Sequence, residues 1–164
     1  MPKTIVAGFA ELQSGLNITT LQSSTVASRH TNVCDVIKTE FTTLEDFLTG
    51  SYHRNTMILP LKDADVDVMI VLNPSYHGKY GPTALLDRGA VLLKPYTTPK
   101  ISRSGQAVTI TFSDFKVDVV VGYKRKGGGY LIVSSYDGYL STNPKKHVEQ
   151  SSASNSAQNG TGTR

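Results

Sequence analysis

Residues 50–72 read Gly50-Ser-Tyr-His-Arg-Asn-Thr-Met-Ile-Leu-Pro-Leu-Lys-Asp-Ala-Asp-Val-Asp-Val-Met-Ile-Val-Leu72, and this stretch decides the fold. Its last part, Asp65-Val66-Asp67-Val68-Met69-Ile70-Val71-Leu72, has the alternation of a β-strand. Successive strand side chains point to opposite faces, so Asp65 and Asp67 share one face while Val66, Val68 and Ile70 share the other. One face is therefore core, and the other carries two carboxylates. Like charges held a few ångströms apart on a rigid strand repel, and a divalent cation between them is the usual remedy. The pair reads as half of a magnesium site.

Just upstream, Leu44 to Thr49 is extended and apolar and runs directly into Gly50-Ser51. A strand turning sharply at Gly50 exposes the backbone amides that follow. Amides aimed outward at a helix start make a phosphate cradle, with the Ser51 hydroxyl as a further donor. Gly-Ser alone is a common turn dipeptide; the acids downstream favour the cradle.

A third acid lies further on. In Phe115-Lys116-Val117-Asp118-Val119-Val120-Val121 the apolar face is Phe115, Val117, Val119 and Val121, which puts Asp118 on the opposite side. Beside the Asp65/Asp67 strand, Asp118 becomes a third carboxylate of the same site, suited to metal-assisted transfer; on an edge strand it simply faces water. Two rival motifs fail on inspection. An EF-hand loop beginning at Asp63, Asp65 and Asp67 requires Gly at Val68 and Glu at Pro74. A Walker-type phosphate loop on Gly122 and Gly127 requires Lys-Ser/Thr where Gly128-Gly129 stands.

The rest of the chain supplies the scaffold. Ile5, Phe9 and Leu12 have helical spacing, predicting a short helix over residues 4–16. Asn17-Ile18-Thr19-Thr20 offers caps to a longer helix through Glu40, with Val26, Val33, Val36, Ile37 and Phe41 on one broad face. Arg29 and His30 within it are expected to face solvent or brace a neighbouring loop. Asn73-Pro74 ends the acidic strand, and Ser75 to Gly81 form a polar loop in which His77 reads as a surface histidine. An amphipathic helix follows from Pro82, closed by Pro95. A hairpin turns at Ser104-Gly105. Lys124-Arg125-Lys126 before three glycines reads as a solvated hairpin turn, with a phosphate or nucleic-acid contact as the alternative. Tyr130-Leu-Ile-Val is a further strand, Ser134 to His147 a loop, and the polar tail from Glu149 is expected to be disordered in isolation.

The 164 residues and moderate apolar content fit one globular domain with a real core. A net charge of +4, scattered along the chain, points only weakly to an anionic partner. No apolar run approaches the roughly 18 residues that a membrane span needs, and the N-terminus lacks the pattern of a secretion signal. With one cysteine, Cys34, no internal disulfide forms. The expectation is a cytoplasmic protein, with no membrane partner, whose Cys34 is a buried core thiol.

Gly50-Ser51, Arg54-x-Thr56, Asp65-x-Asp67 and a later apolar-flanked Asp118 resemble the DNA polymerase β-type nucleotidyltransferase superfamily. The phrases Gly-Ser-Tyr-x-Arg-x-Thr, Leu-Lys-Asp-x-Asp-x-Asp, Val-Asp-Val-Val and Thr-Asn-Pro-Lys-Lys-His are similar to the bacterial cGAS/DncV-like nucleotidyltransferases (CD-NTases, SMODS domain) within it, over residues 1 to 155. The resemblance implies an α+β fold, with a mixed or antiparallel twisted sheet and helices packed on one side. It implies that Asp65, Asp67 and Asp118 hold two Mg²⁺ ions, with Mn²⁺ as a substitute, and that Gly50 and Ser51 contact the triphosphate. Asp118 is placed nearest the attacking hydroxyl by the same analogy. Arg54 and Thr56 brace the turn or touch phosphate. The implied reaction joins nucleoside triphosphates (ATP, GTP, UTP or CTP) into a cyclic or short linear oligonucleotide, releasing pyrophosphate, as an antiphage alarm signal. The alternatives are a transferase adding nucleotides to RNA or protein, and a non-catalytic nucleotide-binding or interaction module. Family members continue into a C-terminal helical lobe. Residues 1–147 are therefore read as the catalytic core and 148–164 as the lead-in to that lobe, so that the chain is expected to be a fragment, a truncated product or half of a split enzyme. The missing lobe or a regulatory protein is then a partner.

Overall fold

A computed structural model describes residues 4–8, 11, 18–53, 64–94, 100–136 and 138–159. Strand β2 (Asp65–Leu72) runs parallel to β5 (Lys116–Lys124), and the two valine-rich segments form the middle of a seven-stranded mixed sheet. β1 (Thr43–Thr49) flanks β2 on the other side, antiparallel. β5 divides its second edge between two partners. Lys116 to Val120 pair with β4 (Ala107–Thr111), which continues to β3 (Lys100–Ser104); Gly122 to Lys124 pair with β6 (Tyr130–Ser134), which continues to β7 (Gly138–Thr142). Only a nine-residue strand is long enough for this division. Where the partner changes, a Cβ on Gly122 would fall 2.5 Å from the Leu131 carbonyl oxygen, so the strand must carry glycine where β6 takes over.

Helix α1 (Thr20–Lys38) starts with a reciprocal cap: the Gln22 amide donates to Thr19 Oγ1 and the Thr19 amide to Gln22 Oε1. Such a box satisfies two otherwise orphaned donors and contributes about 1 kcal/mol. Its apolar face, Val26, Val33, Cys34 and Ile37, packs on the sheet, and Phe41 closes the cluster just beyond the helix. Helix α2 (Gly50–His53) is a single turn between β1 and the acidic strand. Helix α3 (Pro82–Leu92) has proline at its first position, where no backbone donor is needed, and buries Leu85, Leu86 and Gly89. Val66, Val68, Ile70, Val117, Val119 and Val121 meet these helices from the sheet, each buried side chain contributing about 1.5–3 kcal/mol. The fold is thus α+β, as expected, with α1 and α3 on one face of the sheet.

Several details depart from the sequence reading. Gly138–Thr142, taken as loop, is strand β7: it completes the hydrogen-bond ladder of β6, a pairing that its turn-rich flanks conceal. The end of the predicted loop and most of the polar tail expected to be disordered from Glu149 form one helix, α4 (Pro144–Asn159). Its start is well specified, with proline in the first turn and the Asn143 side chain accepting from the Lys146 amide. The carboxylate face of β2 is not purely polar either. Met69 and Val71 on that face join Tyr130 and Ile132 in a second apolar cluster, flanked by Phe47, Val120 and Leu140. Of the predicted first helix, residues 5–8 are helical; the remainder lies largely outside the described residues, as does Pro95.

Arg29 braces a loop, one of the two roles anticipated: it pairs with Asp114 through both guanidinium nitrogens and lies 3.8 Å from the Phe112 ring centre and 4.5 Å from that of Phe115. His77 is exposed but stacks on Tyr139 at 4.7 Å between ring centres. Lys124, Arg125 and Lys126 sit at the exposed β5–β6 turn.

Candidate active site

Parallel pairing of β2 with β5 puts Asp67 and Asp118 in direct register, on the sheet face opposite the valine core. Asp65, two residues up the same strand, is opposite Lys116, whose Nζ lies 3.7 Å from its carboxylate. Adjacent strands lie about 4.8 Å apart, so the Asp67 and Asp118 side chains leave the sheet as neighbours. The β5 strand is interior, which removes the reading of Asp118 as an edge residue facing water.

The Asp118 carboxylate is held in place: Thr109 Oγ1, from the paired position on β4, donates to Asp118 Oδ1 at 2.6 Å. Thr109 escaped the sequence reading, although its alternation with buried Val108 and Ile110 puts its hydroxyl on the acid face. On the β1 side, Thr49 pairs with Asp67, and Gly50 follows with φ of +65°. A Cβ at Gly50 would fall 1.8 Å from Asp67 Oδ2, so the turn packs its backbone directly onto the carboxylate. Ser51 lies half-buried in the same turn. Arg54, Thr56 and Asp63 fall outside the described residues.

A cavity of about 210 Å³ opens here. Thr49, Gly50 and Asp67 form one wall, and Met69, Val120 and Ile132 an apolar floor. Thr142, Pro144 and His147, from the end of β7 and the first turn of α4, close it. Met69, Val120 and Ile132 carry no site signal in the sequence, and Thr142, Pro144 and His147 belong to the Thr-Asn-Pro-Lys-Lys-His phrase without a site role of their own, because the convergence of all six depends on β6, β7 and α4 returning to the middle of the sheet.

Asp65, Asp67 and Asp118 offer only hard oxygen donors, the kind magnesium accepts. With two of them in register and the third on the same face, the donor set fits a divalent cation. Among the described residues, the metal-type side chains whose ligand atoms gather within 4.8 Å of one another are a different set, His30, Cys34 and Asp46.

A mixed sheet with acids in register on its open face, beside a strand-turn-helix carrying Gly-Ser, defines a polymerase β-type nucleotidyltransferase core. The chain belongs to the Second Messenger Oligonucleotide or Dinucleotide Synthetase (SMODS) domain family, whose model matches residues 4–155. It is similar to the cyclic AMP-AMP-AMP synthase of an Acinetobacter species, with 28% identity over 163 residues, covering 93% of this chain and 47% of that protein. A shorter match, 36% identical over 77 residues, links 46% of the chain to 20% of the cyclic AMP-AMP-GMP synthase of Enterobacter hormaechei. The fold resembles that of the Bradyrhizobium diazoefficiens CD-NTase CdnG in complex with GTP, with a TM-score of 0.74 and 19% identity over 87% of this chain and 44% of that one. The chain spans about half the length of the relatives that it matches along most of its length. No helix of the described residues is long and apolar enough to cross a membrane.

Proposed function

We propose that this chain is the catalytic core of a nucleotidyltransferase that joins nucleoside triphosphates into a cyclic or short oligonucleotide second messenger, releasing pyrophosphate. The observation that carries the reading is the in-register pair Asp67 and Asp118 beside the Gly50 turn, with Gly50 and Asp67 on the wall of a cavity. Asp65, Asp67 and Asp118 would hold divalent cations, two Mg²⁺ with Mn²⁺ as a substitute. Such ions, when bound, neutralise triphosphate charge and ease deprotonation of the attacking 3′-hydroxyl.

The chain's own residues do the positioning. Thr109 fixes one oxygen of Asp118, leaving the other turned to the attacking hydroxyl. Gly50 lets the backbone approach Asp67 closely enough for the amides of the turn and the Ser51 hydroxyl to face the triphosphate. To Arg54 and Thr56, outside the described residues, the family resemblance assigns bracing of that turn or a phosphate contact. Met69, Val120 and Ile132 offer an apolar floor for the nucleoside. Orientation and charge neutralisation account for most of catalysis in phosphoryl transfer, so a rigid carboxylate pair is the central requirement.

ATP is the first substrate to test, because the Acinetobacter relative is named for an all-adenine product. Residues 1–147 serve as the core and 148–164 lead toward a second lobe, which with any regulatory protein completes the enzyme. The setting we assign is antiphage signalling in the cytoplasm. The test incubates the full chain with Mg²⁺ and labelled ATP, GTP, CTP or UTP. The expected result is a phosphatase-resistant product that disappears in Asp65→Ala/Asp67→Ala; no product, or product that survives those substitutions, overturns the assignment.

A further inference from the structure

On the opposite, helix-covered face of the sheet, His30, Cys34 and Asp46 form a cluster that the reaction above does not use. His30 and Cys34 are four residues apart on α1, so their side chains stack on one helix face. Asp46 reaches them from β1; its pairing with Ile70 puts it on the core face, away from Asp67. All three ligand atoms lie within 4.8 Å of one another, with His30 Nε2 at 3.2 Å from Asp46 Oδ1. Cys34 is 1% exposed, and the other two side chains are 19% and 22% exposed.

We propose that His30, Cys34 and Asp46 form a zinc site that clasps helix α1 to strand β1. Bonds of about 2.0–2.3 Å to nitrogen, sulfur and oxygen in a tetrahedron put ligand atoms roughly 3.3–3.8 Å apart, within reach of the spacing seen. The donor set selects the metal class: a thiolate with an imidazole suits zinc and disfavours magnesium, which takes oxygen. Lys38 does not block the position, because its Nζ, 2.8 Å from Asp46 Oδ2, engages the other carboxylate oxygen and leaves Oδ1 facing His30. A water fills the fourth position. On binding, the Cys34 thiol gives its proton to solvent as the zinc–sulfur bond forms, His30 donates the Nε2 lone pair, and nothing is oxidised or reduced.

The full chain, stripped with chelator and kept reduced, is titrated with Co²⁺ and then Zn²⁺ in excess Mg²⁺. One equivalent of Co²⁺ is expected to give tetrahedral visible absorption and a thiolate-to-cobalt charge-transfer band, both erased by Zn²⁺. Cys34→Ser should abolish the charge-transfer band, and His30→Gln should weaken cobalt binding more than about tenfold. Asp65→Asn/Asp67→Asn should leave the spectrum unchanged. Metal-free circular dichroism shows whether each variant is folded, and His30→Gln, at a partly exposed position, carries the test if Cys34→Ser is not. The proposal is overturned if cobalt binds without the charge-transfer band, if a folded His30→Gln variant binds as well as the parent, or if the spectrum is lost with the Asp65/Asp67 pair.

Discussion

The backbone of Gly50 lies against the carboxylate of Asp67, so closely that a methyl group on Gly50 would fall 1.8 Å from Asp67 Oδ2. Gly50→Ala therefore strains the backbone, since φ is +65°, and displaces the carboxylate as well. The left-handed conformation costs a non-glycine residue about 1–2 kcal/mol. Misplacement near 1 Å at a reacting centre costs about a hundredfold in rate. The expected result is a stability loss of about 1–2 kcal/mol by urea denaturation, and a nucleotidyl-transfer rate reduced about a hundredfold in the same preparation.

Asp118→Asn keeps an oxygen for the Thr109 hydroxyl but removes the negative charge beside Asp67. Transfer is expected to fall at least about a thousandfold, equivalent to about 4 kcal/mol of transition-state stabilisation, with little change in thermal midpoint. Thr109→Val leaves the charge and removes only its anchor, so its expected loss is smaller, about tenfold. Single-turnover rates with labelled ATP separate the two variants.

Glu45 joins β1 to β6 and α4. Tyr130 Oη donates to it at 2.7 Å, Lys145 Nζ lies at 3.1 Å and Lys124 Nζ at 3.7 Å. Burial pushes its carboxyl up, but the hydrogen bonds from Tyr130 and Lys145 and the two lysine charges outweigh that and hold it below the usual glutamate range. A carboxyl lowered on folding contributes stability that is fully present above its unfolded value and is lost as pH falls through its folded value. Urea denaturation at about pH 7 and about pH 3 should show a larger acid loss for the parent than for Glu45→Gln, which is already destabilised at neutral pH. Equal acid losses would count against this role.

Arg29→Ala removes the bidentate pair with Asp114 and the packing over Phe112 and Phe115. The expected destabilisation is about 1–3 kcal/mol, measured by urea denaturation. Arg29→Lys should recover little of it, because an ammonium cannot pair bidentately and stack on two rings at once.

The central strands were legible because their chemistry is periodic. Valine at 66, 68, 117, 119 and 121 alternates with acids at 65, 67 and 118, which no helical pattern reproduces. The α1 start was similarly readable from Thr19 and its neighbours, and the hairpin at Ser104-Gly105 from its turn residues. Strand β7 was not, because Gly138–Thr142 is defined by the ladder with β6 and its own alternation is too short. Helix α4 was missed because it lacks the apolar stripe that marks a packed helix, while its first turn is specified by Asn143 and Pro144. Within the site, the acids announced themselves as charges in a valine strand. Thr109, Met69, Val120 and Ile132 did not, since each is ordinary in its own segment and meaningful only once β4, β5 and β6 converge; His147 was visible only as part of a family phrase, without a place in the site.

The parallel register of β2 and β5 also governs when the site comes into being. Asp67 and Asp118 are about fifty residues apart along the chain, with α3 and the β3–β4 hairpin between them, and they become neighbours only when β2 and β5 pair. Closing so long a connection is slow compared with making local helices and hairpins. A nascent or partly unfolded chain in which β2 and β5 are unpaired therefore holds its acids apart and lacks the paired carboxylates that the proposed transfer needs. On the proposed function, catalytic competence is tied to completion of the sheet, so misfolded copies should be silent rather than sources of stray signal.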